Sequence, residues 1–119
     1  MGTPDRETVE VWRIVPSFPD YSCSNLGRVR RQTPGNGARV LHVLKPCVVA
    51  PHGIPHRFLC LRRGGVDCGV FVSNLVAEAF VGENPEKGSY RVIHMDGNTL
   101  NDRADNVGYK LTAEIVGFY

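Results

Sequence analysis

Several things are missing from this 119-residue chain, and each absence narrows what it does. No apolar run approaches the roughly 20 residues needed to cross a bilayer, so no membrane partnership is expected. The opening MGTPDRETVE is polar and acidic, unlike a secretory signal or a transit peptide. Arg6 stands where myristoylation takes Ser or Thr. The expected location is therefore the cytoplasm. No C-x-x-C pair occurs either: Cys23, Cys47, Cys60 and Cys68 are too scattered for a zinc framework, even with His52 and His56 among them. Free thiols are the ordinary reading in such a compartment, and no structural zinc is expected. Internal repeats and low-complexity tracts are absent as well.

What is present fits one domain of ordinary globular composition, 42% hydrophobic and 22% charged. The net charge of +2 conceals an asymmetry. Up to Phe71 ten Lys and Arg residues, all of them before the hairpin glycines, face five acids; beyond it acids dominate. An arginine-rich front half suits a phosphate-bearing partner.

Along the chain, alternation predicts a strand at 11–14 with Val11 and Arg13 on one side and Trp12 and Ile14 on the other, stopped by Pro16 and Pro19. Ser24-Asn25-Leu26-Gly27 reads as a tight turn and 28–31 as a second strand, with Arg28, Arg30 and Arg31 outward and Trp12, Phe18 and Tyr21 as a small core. Residues 32–39 form a loop and 40–44 a strand. Residues 57–62 and 66–72 form a hairpin about Gly64-Gly65, its tip carrying Arg62 and Arg63, with Cys60 and Cys68 flanking the turn. A helix is expected over 74–80, capped by Ser73 and ended by Gly82. A strand over 90–95 then delivers His94 into a loop rich in Asp and Asn, which has too little apolar material to be core.

The two outer segments resemble a known family. VSNLVAEAF followed by VIHMDGNTLNDRADN resembles the HNH endonucleases in their homing-endonuclease branch. Glu10, Trp12, Val15, Pro16, Phe18, Tyr21, Ser24, Asn25, Gly27, Val29 and Arg30 fall on the modular motif found beside such nucleases. The resemblance implies an α+β fold: a small N-terminal β-rich region with a hairpin, then a ββα-metal (His-Me) HNH unit whose last helix is truncated or absent. The division it suggests is 1–9 as a flexible start, 10–31 as the modular motif, 32–72 as the hairpin region and 73–119 as the HNH-like unit.

It further implies a metal-dependent DNA endonuclease of phage or mobile-element type that hydrolyses phosphodiester bonds, working in the host cytoplasm if phage-encoded. Double-stranded DNA would be the partner, with a protein partner to supply specificity and Mg²⁺ or Mn²⁺ as cofactor. By position, His94 matches the general base and Asn106 the amide that orients it. Asp96, Gly97, Asn98 and Asn101 match loop-structural residues. Arg28, Arg30, Arg31, Arg57, Arg62 and Arg63 are the expected DNA contacts.

The chain departs from the family at both metal-ligand positions, where Ile93 and Ile115 or Val116 stand, and at Ser73, where the family has His. Asp96 with Glu114 is the replacement metal pair the sequence offers. The alternative is an HNH-derived DNA-binding or structural protein without cleavage. A protein-binding module using Trp12, Phe71 and Tyr119 is a third reading, against which the basic front half counts.

Overall fold

Residues 9–34, 40–86 and 88–112 are described by the structure, a computed structural model. Three small antiparallel sheets and one short helix give an α+β architecture. β1 (Trp12–Val15), β2 (Phe18–Ser24) and β3 (Val29–Arg31) form the first sheet, in that order. β4 (Cys47–Val49), β5 (His56–Arg63) and β6 (Val66–Phe71) form the second. β7 (Tyr90–His94) and β8 (Val107–Leu111) form a two-stranded ribbon. Within the described residues no helix is long and apolar enough to cross a membrane.

The period-two pattern of the first sheet sends Val15, Cys23 and Val29 inward, where they are at most 2% exposed. Phe18 and Tyr21 join them, but Trp12 does not: it lies on the outer face, beneath the Arg30 guanidinium 3.9 Å from its ring centre. The expected aromatic mini-core is therefore two residues rather than three. Ser22 and Ser24 are buried as well, their hydroxyls occupied by Gln32 and by the Leu26 and Arg28 backbone N–H groups.

Between β6 and β7 the chain packs α1 (Val72–Val76) against the sheets through Val72, Leu75 and Val76, and continues as a π-helical turn, Ala77–Val81, closed by Gly82 at φ +128°. This element begins two residues earlier than the sequence suggests, because Val72 is itself core. Ser73 lies inside the helix and caps nothing, Phe71 holding the cap position. Glu78 fastens the helix to the β1–β2 turn, accepting from the Ser17 backbone N–H and hydroxyl, each at 2.6 Å.

The strand expected at 40–44 is reduced to a single bridge, Val43 opposite Arg30; the pairing strand is β4, beyond Lys45-Pro46. In the β5–β6 hairpin Cys60 faces Gly69 and Leu61 faces Cys68, so the two thiols are not opposite one another. All four cysteines are free, and burial pushes the Cys23 thiol up to about 12, so it is inert packing. The closing helix that the resemblance implies would fall in the terminal segment from residue 112, of which 113–119 lie outside the described residues.

Candidate active site

The loop between β7 and β8 is closed by its own polar side chains. His94 pairs with Val107 at the mouth of the ribbon, and the Met95 N–H donates to the Asn106 carbonyl at 2.7 Å. Gly97, at φ +77°, lets the chain reverse, and its N–H returns to the His94 carbonyl. Asp96 then organises the turn. Its carboxylate accepts from the Asn98 N–H at 2.8 Å, from Asn101 Nδ2 at 2.9 Å and from Asn106 Nδ2 at 2.9 Å. These donors, the Asn101 amide foremost, hold the Asp96 carboxyl below the ordinary carboxylate range.

Asn106 is 7% exposed and is spent on the same loop: it donates to Asp96 and to the Asn101 carbonyl and accepts from the Asp96 N–H. None of its side-chain bonds reaches His94. The role the resemblance gave it, orienting the imidazole, is taken instead by a residue that sequence reasoning passed over.

That residue is Asp102. Its Oδ1 lies 2.7 Å from His94 Nε2, with the two side chains 1% and 2% exposed. Since a carboxylate only accepts, Nε2 carries the proton and Nδ1 of a neutral ring holds the lone pair. Arg57 completes the group: its Nη1 is 3.4 Å from Asp102 Oδ2 and its Nη2 donates to the Gly27 carbonyl at 2.9 Å. The expected DNA contact at Arg57 is thus an inward bridge.

The N-terminal turn forms the floor beneath this cluster. The Asn25 carbonyl accepts from the Ala104 N–H, and a Cβ on Gly27 would come to 3.0 Å from the Asp102 carbonyl oxygen. Gly27 also holds φ +86°, so only glycine allows the two backbones to meet. His56, at the start of β5, stacks on Phe71 at 4.7 Å and stands 6.2 Å from the His94 ring, centre to centre. Burial, then the nearby His94, keeps His56 below the usual histidine range.

The other arginines expected to meet DNA lie in three places. Arg28 is forked onto Glu10 at 2.8 Å and shares the Trp12 face with Arg30. Arg31 lies over Tyr21 and donates to its hydroxyl. Arg62 and Arg63 are exposed at the hairpin tip, Arg62 3.3 Å from Asp67 and Arg63 bonded to the Ser17 carbonyl above Phe18.

No protein-family model and no curated protein matches the chain. Among solved structures it is similar to the HNH homing endonuclease I-HmuI, in a structure described as DNA binding and cleavage by that enzyme. The TM-score is 0.66 and the identity 26%, over 87% of this chain. This chain has an HNH-like fold. It covers 53% of the neighbour, so it spans about half of that protein's length.

An HNH-like fold raises the question of a divalent ion. Ile93 before His94 offers no side-chain ligand, and the Asp96 oxygens already take three donors. Glu114, Ile115 and Val116 lie outside the described residues, within which no three His, Cys, Asp or Glu side chains gather as a metal site. The described residues do not fit an oxygen-ligand Mg²⁺ or Mn²⁺ site.

Proposed function

We propose that this chain acts on double-stranded DNA as an HNH-type endonuclease, with His94 as the general base. The observation that supports this best is the His94–Asp102 pair, because it fixes one tautomer and leaves Nδ1 with its lone pair. In that role Nδ1 takes a proton from the water that attacks phosphorus, while the phosphodiester P–O bond breaks. Asp102 stabilises the imidazolium so formed and holds the ring; Arg57 holds the carboxylate in place. Asp96, Gly97, Asn98, Asn101 and Asn106 keep the loop in shape, and the exposed Arg28, Arg62 and Arg63 supply phosphate contacts. No step is routed through a metal. Target choice would come from a partner or from sequence beyond this domain, as in a phage or mobile-element nuclease, with 10–31 serving as the supporting module.

A second reading, DNA binding without cleavage, is favoured by the 2% exposure of the His94 side chain and by Ile93 beside it. One experiment separates the two. Supercoiled plasmid is incubated with the protein and Mg²⁺ or Mn²⁺, beside a His94→Ala control. Nicking that the substitution removes supports the nuclease; salt-sensitive binding with intact plasmid supports the second reading.

A further inference from the structure

His56 and His94 present a combination that neither the loop scaffold nor the Asp102 pair uses. Both rings have a buried Nδ1 that meets no hydrogen-bond partner in the protein. Their centres are 6.2 Å apart, with the planes inclined at 46°. A buried imidazole nitrogen without a partner is unfavourable, and on adjacent rings a ligand held between them would relieve both at once.

The surroundings specify what that ligand is. His94 already gives its other ring N–H to the buried carboxylate of Asp102, the arrangement that metal-binding histidines generally adopt because it fixes the ring and raises the basicity of the free nitrogen. With metal–nitrogen bonds of about 2.0–2.1 Å, two imidazoles on one ion bring their ring centres to roughly 5–6 Å, close to the separation found here. His56 is held by its stack on Phe71 and lines a cleft of about 1080 Å³ beside Ser73 and Val92, which brings solvent to the His56 side of the pair.

We propose that His56 and His94 together bind a late first-row divalent cation, with Zn²⁺ as the reference, through their Nδ1 atoms. Imidazole pairs favour this class over Mg²⁺, which demands oxygen. Water fills the remaining positions, since within the described residues no third His, Cys, Asp or Glu side chain joins them. This site is distinct from a cysteine framework, and the 38-residue separation of its two ligands leaves no motif in the sequence. One consequence rests on the nuclease reading: a lone pair held by the ion is withdrawn from the attacking water, so the loaded protein is inactive. The binding itself does not depend on that reading.

The test is made without DNA. Metal-free protein is titrated with ZnCl₂ by calorimetry, and the imidazole ¹⁵N resonances are followed in parallel. One ion binds per chain, the His56 and His94 resonances shift together, and His56→Gln weakens binding by at least about tenfold, whereas His52→Gln on the same cleft leaves it unchanged. Circular dichroism confirms that each variant is folded. Absence of binding to the folded wild type, binding unaffected by His56→Gln, or His56 and His94 resonances that stay in place would each overturn the assignment. Plasmid nicking in zinc-free buffer is read separately, so failure of the nuclease reading and failure of the metal site are told apart.

Discussion

Two aspartates in the β7–β8 loop live under opposite conditions. Asp96 stands in water and is held by the Asn98 backbone N–H and the amides of Asn101 and Asn106. Asp102 is 1% exposed and is held by a ring and a guanidinium. The first shapes the turn; the second fixes a titratable nitrogen. The more conspicuous carboxylate, the one beside glycine in the Asp-Gly-Asn run, is scaffold, and the one buried further along the loop controls the imidazole. Exposure decides the difference: in water a carboxylate gains little from a partner, while a sealed one must be paired.

The largest test of this contrast is Asp102→Ala, which leaves the His94 Nε2–H without its acceptor and the Arg57 guanidinium without its counter-charge. A loss of about 3–5 kcal/mol in urea denaturation is expected, as for breaking other buried pairs. A loss no greater than that of an exposed pair would erase the distinction. Asn106→Ala comes next, at about 1–3 kcal/mol, because it strands the Asp96 N–H and the Asn101 carbonyl. It should leave the His94 tautomer unchanged in ¹⁵N spectra, whereas Asp102→Asn should alter it.

Smaller is the pH dependence that His56 adds. Its pKa is lowered in the folded protein, so the unfolded chain takes up the proton first as acid is added. Its contribution to stability is complete above the ordinary value of 6.5 and declines as pH falls below it. His56→Phe, which keeps a ring against Phe71, should flatten that part of the stability profile. The smallest effect belongs to Asp96→Ala, a slight fall in melting temperature at neutral pH. Because the Asp96 pKa is also lowered, that difference is present above the ordinary 3.8 and disappears as pH drops through the folded value.

Much of the fold was legible in residue order. Period-two alternation marks β1, Gly64-Gly65 marks the turn of the β5–β6 hairpin, and Gly82 marks the end of the helical segment. Two local readings failed for tertiary reasons: Val72 drew the helix start back past Ser73, and the pairing partner of β5 came from 47–49 rather than from 40–44. His94 stood out because polar loop residues rarely cluster without cause. Asp102 and His56 did not, and Arg57 reads from sequence as a DNA contact, since what brings them to His94 is the docking of β5 and the Gly27 turn on the loop, and no local spacing encodes that approach. The Ser24-Asn25-Leu26-Gly27 turn was read as a tight turn, with no sign that it would support a site 75 residues away at Asp102.

The central claim, that the Asp102-held imidazole of His94 is the reactive group, is tested most directly by the rate of plasmid nicking in the wild type and in His94→Ala. The account predicts a measurable wild-type rate that falls by at least about 10²-fold in the variant, the usual contribution of a general base. Equal rates in the two proteins, or no nicking by the folded wild type in Mg²⁺ or Mn²⁺, would contradict it.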